Sequence, residues 1–215
     1  MDIVSYNCCN FKANNLMIDY LINNNDICFF IEHWLGADDA HYFNEICTNH
    51  SIIFKSDYEN TFTRRGRPFG GTCWTIHNKI KIIESNELSA SISKVVIEEP
   101  SLGKLVLFGI WQPFDDGSYD KLALLYSTLS ILEHEIEDLG DDNYLILGDF
   151  NADFFNRSKR FDKLFLSLLE RKNITDAASL FNCTDINTYS KGSYGAVFDH
   201  ILVSPSLIER ISNSE

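Results

Sequence analysis

The sequence predicts an α/β fold: a four-layered sandwich in which two mixed, mostly antiparallel β-sheets lie between outer helices. Strand-like and helix-like segments alternate near both ends of the 215-residue chain, which supplies helices to cover the sheets. The middle third instead holds successive short strand-like segments at the spacing of a meander. A meander gives antiparallel pairs that a purely parallel fold would lack, so we expect mixed sheets.

The first third of the chain alternates between the two kinds of element. Apolar runs predict strands at residues 3–9, 27–31 and 52–58, and helices are predicted at 16–22 and 38–47. The run at 27–31 is continuously apolar, which is typical of a strand buried on both faces. A polar and basic segment, residues 61–71, follows the third strand and is predicted to be a loop.

The remaining elements follow from the same two periodicities. Strands are predicted at residues 72–78, 80–84, 93–98 and 104–111, and later at 144–147, 185–189 and 198–203. Apolar residues at helical spacing predict the longest helix at 119–139, and Phe161, Leu164, Phe165 and Leu168 predict another. Gly148 is predicted to release the chain from the 144–147 strand into a turn.

Composition limits the class of protein. A hydrophobic content of 45% can form one large core, and no repeat or linker divides the chain, so we expect one domain over residues 1–215. A net charge of -13 argues against non-specific coating of nucleic acid. The six cysteines show no CxxC spacing, which disfavours a zinc site and indicates a reducing compartment. No leader or membrane-length apolar run is found, so we expect a soluble, intracellular protein.

Polar side chains stand at the ends of several predicted strands. Asp149 and Asn151 follow the 144–147 strand and share a face if the backbone stays extended, with Phe150 turned inward. The alternative is a turn in which Asp149 and Asn151 satisfy their own backbone. The complete set of such strand-end residues comprises Asn7, Glu32, Asp149, Asn151 and Asp199. Burying these polar groups apart from one another would cost about 1–3 kcal/mol for each unpaired group, so we expect them to cluster. An oxygen-rich cluster without thiolates suits Mg²⁺, with Mn²⁺ as an alternative.

Four strings carry a resemblance to a known family. They are Ser5-Tyr6-Asn7, Ile31-Glu32-His33-Trp34-Leu35, Gly148-Asp149-Phe150-Asn151 and Phe198-Asp199-His200-Ile201-Leu202. Their order resembles that of the endonuclease/exonuclease/phosphatase superfamily, whose fold is DNase I-like. The Glu-His-Trp-Leu string and the Gly-Arg-Pro-Phe-Gly-Gly string at 66–71 are most similar to the apurinic-like endonuclease domain of LINE-type non-LTR retrotransposons.

The resemblance implies a role for each matching residue. Glu32 would bind the metal, Asn7 and Asn151 would hold active-site groups and phosphate, and Asp149 would orient or deprotonate the attacking water. Asp199 would pair with a histidine at the scissile phosphate, and Thr188 would contact the nucleic-acid backbone. The implied activity is DNA nicking for target-primed reverse transcription. The implied protein reaches nuclear DNA and is part of a polyprotein with a downstream reverse transcriptase.

Two departures from the family pattern bear on activity. Trp111-Gln112-Pro113 stands where the family has Tyr-x-Pro, so Trp111 offers an indole N–H in place of a phenol. The family's final Ser-Asp-His string lies downstream of the segment matching Asp199, whereas this chain stops at Glu215, so the resemblance implies a C-terminally incomplete domain. His200 should not replace the missing histidine, because in a strand it faces away from Asp199.

Basic residues offer a further candidate surface. Arg64, Arg65 and Arg67 lie in the 61–71 segment, Lys79 and Lys81 lie near it, and Arg157, Lys159 and Arg160 follow soon after Asn151. They are candidates for a local phosphate-facing patch, with a solvated charged surface as the alternative. Phe154 and Phe155 are expected in the core rather than stacked on a base. Three functions therefore stay open: a DNA-nicking endonuclease, an inactive remnant that at most binds nucleic acid, and a phosphoesterase acting on a small phosphorylated substrate.

Overall fold

The computed structural model describes residues 1–57, 69–140, 142–184 and 186–212, with side chains in the last helix described as far as Ile208. The chain forms two compact units, Met1–Lys81 and Ile82–Glu215. Within the described part of the chain, no helix combines the length and the apolar character that crossing a membrane requires.

The first unit is built on a four-stranded mixed sheet in the order β1-β2-β4-β3. Its strands are β1 (Ile3–Asn7), β2 (Ile27–Ile31), β3 (His50–Lys55) and β4 (Thr72–His77). β1 and β2 pair in parallel, and the other pairs are antiparallel. Every residue of β2 is buried, as its continuous apolar run predicts.

Two helices pack against this sheet. They are α1 (Phe11–Asn24) and α2 (His41–Ile46), and α2 follows a short 3₁₀ helix at Ala37–Ala40. Phe11 and Phe43, one from each helix, form an edge-to-face ring pair with centroids 4.7 Å apart and belong to the same core cluster as Phe30 of β2. The predicted helix at 38–47 is therefore present, but its first turn is 3₁₀ rather than α.

The second unit holds a six-stranded mixed sheet in the order β5-β6-β7-β8-β12-β9 and a separate hairpin, β10-β11. The strands are β5 (Lys81–Glu87), β6 (Ile92–Glu99), β7 (Gly103–Trp111), β8 (Asn143–Asp149), β9 (Thr175–Asp176), β10 (Tyr189–Lys191), β11 (Tyr194–Ala196) and β12 (Asp199–Val203). β7 and β8 are parallel, whereas β6-β7, β8-β12 and β12-β9 are antiparallel. The predicted mixture of mostly antiparallel pairing is confirmed.

Helices cover one face of this sheet. They are α3 (Tyr119–Leu139) and α4 (Arg160–Lys172), and two further helices, α5 (Ala177–Leu180) and α6 (Pro205–Ser212), lie near the C-terminal strands. Alternate residues of β7 and β8 form one core cluster with the apolar sides of α3 and α4. The side chain of Ser118 caps α3 by accepting a hydrogen bond from Lys121 N at 3.2 Å, so the helix begins where the sequence predicts.

Three sequence-based expectations are corrected. Gly148 does not begin a turn, because β8 continues through it to Asp149. β1 ends at Asn7 rather than residue 9, since Cys9 and Asn10 have φ angles of 44° and 108°. The predicted strand at 185–189 is displaced: residue 185 lies outside the described residues, and the strand observed there starts at Tyr189.

Candidate active site

Asn7 and Glu32 lie at the carboxyl ends of two neighbouring parallel strands of the first unit. Asn7, the last residue of β1, is opposite Ile31, the last residue of β2, and Glu32 follows directly. Two backbone hydrogen bonds continue the pairing beyond the strands, from Cys8 N to Ile31 O at 2.7 Å and from Asn10 N to Glu32 O at 3.0 Å. The parallel pairing therefore brings these two oxygen-bearing side chains to one edge of the sheet, as the sequence predicts.

The turn at Glu32 is held in an unusual backbone conformation. Glu32 and Trp34 have φ angles of 58° and 55°, a region that costs about 1–3 kcal/mol for residues other than glycine. Backbone hydrogen bonds from Glu32 N to Gly71 O at 2.9 Å and from Trp34 N to Gly70 O at 3.0 Å offset that strain. The two glycines that end the basic segment therefore fix the position of Glu32.

His33 is fully buried beneath this turn. Its Nε2–H donates to Lys55 O at 2.9 Å, and its Nδ1 accepts a hydrogen bond from Leu35 N at 3.0 Å, so the imidazole is the neutral Nε2–H tautomer. Burial lowers the pKa of His33 to about 4. A Cβ at Gly71 would lie 2.3 Å from the His33 ring, so a glycine is needed at that position.

The oxygen atoms at these strand ends fit a hard divalent cation. Glu32 Oε2 accepts a hydrogen bond from Trp34 Nε1 at 2.5 Å, and Asn7 Oδ1 accepts one from Cys9 N at 3.1 Å. Burial raises the pKa of the neighbouring Cys8 thiol well above its usual range, so Cys8 supplies no thiolate. Residues 1–57, 69–140, 142–184 and 186–212 contain no group of three or more metal-binding side chains. One carboxylate and one amide suit Mg²⁺, which keeps several waters.

In the second unit, three candidate residues form a row across the sheet. Trp111 of β7 is in register with Asp149 of β8, and Asp149 is in register with Asp199 of β12. Residues in register on adjacent strands project from the same face. Asp149 therefore has Trp111 as its register neighbour on one side and Asp199 on the other.

Asn151 does not continue the extended backbone that the sequence suggested. Its φ angle is 48°, so the chain turns directly after Phe150, which is fully buried as predicted. Asn151 N donates to Asp149 Oδ1 at 3.0 Å, and Asn151 Nδ2 donates to Gln112 O at 2.9 Å. The alternative of a turn stabilised by Asp149 is thus also present, and this turn holds Asn151 beside the carboxylate.

Asp199 presents an unsatisfied buried oxygen. Its Oδ1 is buried and has no hydrogen-bond partner within the described part of the chain, and burial raises the pKa of its carboxyl group. Thr188 Oγ1 accepts hydrogen bonds from Phe198 N at 2.9 Å and Asp199 N at 3.1 Å. Thr188 therefore holds the Asp199 backbone in place, which the sequence did not predict.

A cleft of about 250 Å³ opens beside Asn151. It is lined by Phe114, Asp115, Asn151, Lys159, Tyr189, Tyr194 and Phe198. Lys159 Nζ lies 5.6 Å and 5.3 Å from the centroids of the Tyr194 and Phe198 rings. Aromatic faces with a nearby cation suit a nucleobase and its phosphate. Sequence reasoning missed this cleft, although the two tyrosines that flank a Lys-Gly-Ser turn, in Tyr189-Ser190-Lys191-Gly192-Ser193-Tyr194, are a signal that could have indicated it.

The structure places the described members of the predicted basic set at different sites. Arg64 and Arg67 lie outside the described residues. Arg157 lines a separate cavity of about 480 Å³ that also includes Phe154 and Asp176, and it is not among the residues that line the Asn151 cleft. Phe154 is buried, as expected, and Phe155 is partly buried. Among the residues that the structure describes, Lys159 is the predicted basic residue that lines the cleft beside Asn151.

Arg160 serves the cleft indirectly. Its guanidinium binds both carboxylate oxygens of Asp115, through Nε at 2.7 Å and Nη2 at 2.5 Å, and it also donates to Ser118 O. This pairing lowers the pKa of Asp115. Since Asp115 follows Phe114, the ion pair fixes the segment that forms one wall of the cleft.

No protein-family profile matches the sequence, and no curated protein matches it. Solved structures do match. An AP endonuclease from Leishmania major is similar over 97% of this chain and 80% of its own, with 12% identity and a TM-score of 0.74. An AP endonuclease from Archaeoglobus fulgidus covers 97% and 88%, with 14% identity and a TM-score of 0.72. A 3′ phosphatase from Neisseria bound to a product DNA hairpin covers 97% and 88%, with 14% identity and a TM-score of 0.71. The chain therefore has the α/β fold of the DNase I-like AP endonucleases, and the predicted fold class is confirmed.

Proposed function

We propose that this chain is a divalent-metal-dependent phosphodiesterase that nicks DNA. The observation that carries the proposal is the row Trp111, Asp149 and Asp199, in which one buried Asp199 oxygen has no donor among the described residues. A carboxylate oxygen without a hydrogen bond is costly to bury, so its presence favours a role that substrate or a protonated partner completes. The structures with the same fold include two AP endonucleases and a 3′ phosphatase bound to a DNA hairpin, which supports nucleic acid as the substrate.

Each residue has a role in this proposal that matches its chemistry. Asp149 accepts the proton of the attacking water, because it is the carboxylate at the centre of the row. Asn151 and the indole N–H of Trp111 donate hydrogen bonds to the phosphate oxygens as negative charge develops on them. Asp199 orients a hydrogen-bond donor at the phosphate. The first role of Thr188 is to hold the Asp199 backbone, and contact with DNA would be additional.

Glu32 and Asn7 would hold the metal ion. Mg²⁺, or Mn²⁺ in its place, would neutralise charge on the phosphate. The protein's own contribution there is to present a carboxylate and an amide oxygen from adjacent strand ends. The indole of Trp34 keeps the Glu32 carboxylate oriented by hydrogen bonding to Oε2.

The proposal extends to the kind of endonuclease. The Glu-His-Trp-Leu string and the Gly-Gly pair that resemble LINE-type retrotransposon endonucleases bind each other, through the hydrogen bonds from Glu32 N and Trp34 N. Through these hydrogen bonds the two strings together fix the position of Glu32, which supports a retrotransposon origin. We propose that the chain nicks nuclear DNA to release a 3′-hydroxyl for reverse transcription, and that a reverse transcriptase belongs to the same polyprotein. Arg64, Arg67 and Arg157 remain candidates for contact with the DNA backbone.

The size of the cleft favours a second candidate. A volume of about 250 Å³ suits one nucleotide rather than a duplex, and one of the similar structures is a 3′ phosphatase. A phosphoesterase that removes a terminal phosphate, or that acts on a small phosphorylated molecule, would use the same carboxylates.

Nicking of a supercoiled plasmid in the presence of Mg²⁺ tests the proposal. The Asp149→Asn variant keeps an acceptor for Asn151 N but loses the base, so it should leave the plasmid supercoiled. Asp138→Asn, on the exposed side of α3, is the matched control and should nick like the unmodified chain. Equal nicking by the Asp149→Asn variant, or none by the unmodified chain, would contradict the proposal. Release of phosphate from a 3′-phosphorylated oligonucleotide without nicking would favour the second candidate.

A further inference from the structure

A buried histidine on the opposite face of the sheet from Asp199 has acceptors on both sides of its ring. The second residue of β12, His200, is 3% exposed. Its Nδ1 lies 2.5 Å from Asp176 Oδ2, and its Nε2 lies 2.9 Å from Ala152 O and 3.1 Å from Val197 O. A carboxylate and two carbonyl groups cannot donate hydrogen bonds to this ring. With Asp176 ionised, a proton on each ring nitrogen would satisfy all three contacts.

Asp176 is the partner for the positive charge of a doubly protonated His200 ring. Asp176 Oδ1 accepts a hydrogen bond from Ala178 N at 2.8 Å, at the start of α5, which favours the ionised carboxylate. His33 is a contrasting buried histidine: its Nδ1 faces the N–H of Leu35, so a neutral ring satisfies all its contacts. The contacts of His200 and Asp176 are those that a buried ion pair would make, with Nδ1–H donating to Oδ2.

The carbonyl groups that His200 binds belong to the two segments that carry candidate catalytic residues. Ala152 directly follows Asn151, and Val197 lies two residues before Asp199. The ring of Phe154 stacks on the imidazole with centroids 3.9 Å apart, which fixes the plane in which Nε2–H points. A single N–H group therefore links the loop after β8 to the start of β12.

A buried carboxylate strengthens the same link. Asp153 Oδ1 accepts hydrogen bonds from Phe155 N and Asn156 N at 3.0 Å, and its Oδ2 accepts one from Val197 N at 3.4 Å. Asp153 thus closes the loop that His200 binds, and both side chains contact the backbone of Val197, just before β12. Neither side chain lines the cleft beside Asn151, so neither is expected to touch substrate.

We propose that His200, charged by its pairing with Asp176, is a positioning residue that sets the spacing between Asn151 and Asp199. The expected effect on the rate rests on the proposed phosphodiesterase function, whereas the spacing of Asn151 and Asp199 does not. Without the His200 ring and its hydrogen bonds, the loop after β8 and the start of β12 should separate. Displacement of a reacting group by about 1 Å can lower a rate 10²-fold. Binding of DNA should change little, because the cleft walls are formed by other residues.

The test combines nitrogen NMR with kinetics on the full chain. In protein labelled with ¹⁵N-histidine, the signals absent from the His200→Gln variant identify His200, and both should have shifts typical of ring N–H groups at pH 7. In plasmid nicking, His200→Gln should lower kcat about tenfold or more with KM within about twofold. His134→Gln, an exposed histidine on α3, is the control and should match the unmodified chain.

A second variant keeps the inference falsifiable if His200→Gln does not fold. Asp176→Asn keeps an acceptor for Ala178 N and places an amide donor opposite Nδ1, so the ring becomes neutral while Nε2–H stays in place. We expect the Nδ1 shift to move to that of an unprotonated nitrogen and kcat to fall less than in His200→Gln. A neutral ring in the unmodified chain, or unchanged kcat in both variants, would overturn the inference. If the unmodified chain cleaves nothing, the proposed function fails, and the His200 shifts together with the backbone shifts of residues 151 and 199 still decide the structural claim.

Discussion

The Gly148→Ala substitution tests why the strand that carries Asp149 can lie where it does. Gly148 has a φ angle of 143° and is in register with Ile110 of the parallel neighbour β7. A Cβ built there would lie 2.0 Å from the carbonyl oxygen of Ile110 and 2.9 Å from its carbonyl carbon. Ordinary contacts at Cβ are longer by more than an ångström, so β7 and β8 would have to separate at the centre of the sheet.

The expected cost has two parts. The sparsely populated backbone conformation contributes about 1–3 kcal/mol for a residue with a Cβ. Overpacking against a backbone atom that cannot rotate away contributes about 1–3 kcal/mol more. We therefore expect Gly148→Ala to lower the free energy of unfolding by about 2–6 kcal/mol, a large part of the roughly 5–15 kcal/mol typical of a folded protein.

Urea unfolding followed by tryptophan fluorescence measures this cost, with Gly103→Ala as the matched control. Gly103 also has a positive φ angle, 73°, but a Cβ there would meet no atom within 4 Å. The control should lose only about 1–2 kcal/mol, the conformational cost alone. Equal losses in the two variants would refute the reasoning that close approach of β7 and β8 requires glycine at position 148.

Three further predictions follow from the site. Burial lowers the pKa of His33 to about 4, against about 6.5 in the unfolded chain. The corresponding free energy of unfolding, about 3 kcal/mol, is present above pH 6.5 and is lost as the pH falls towards 4. The free energy of unfolding of His33→Gln should therefore depend less on pH, and an equal pH dependence in the two proteins would contradict this. Arg160→Gln should raise the pKa of the Asp115 carboxyl group, measured by carbon NMR titration, because the guanidinium that lowers it is removed. An unchanged titration would count against the pairing. Chelation of divalent cations should abolish nicking. Glu32→Gln should raise the Mg²⁺ concentration needed for half-maximal rate at least about tenfold. An unchanged Mg²⁺ requirement would show that Glu32 does not bind the metal.

Local patterns in the sequence predict the elements that depend on local forces. The helix at Tyr119–Leu139 and the strand at Ile27–Ile31 match their predicted bounds, because helical spacing and a continuous apolar run each specify one structure. Gly148 was misassigned because its conformation is imposed by a carbonyl group on another strand. Asn151 departs from the extended backbone for a similar reason, since its side chain is drawn to the Gln112 carbonyl 39 residues away.

The two carboxylates of the candidate site have a signal in the sequence, whereas the residues that support them do not. Asp149 ends an apolar strand and Asp199 begins one, and the two residues are opposite each other in the register of β8 and β12. The pairing of His200 with Asp176 spans 24 residues and has no pattern in the sequence. The contact of Thr188 with DNA stays a prediction, and the family resemblance does not show that its hydroxyl accepts hydrogen bonds from Phe198 N and Asp199 N. The joint action of Asn7 and Glu32 with the second unit's residues stays a prediction.

Single-turnover cleavage of an end-labelled DNA duplex in Mg²⁺ tests the central claim most directly. If Asp149 prepares the attacking water, the unmodified chain should cleave one strand to leave a 3′-hydroxyl and a 5′-phosphate. Asp149→Asn should then be slower by about 10²–10⁴-fold, while its unfolding curve matches that of the unmodified chain. Cleavage at the same rate by both proteins would contradict the account.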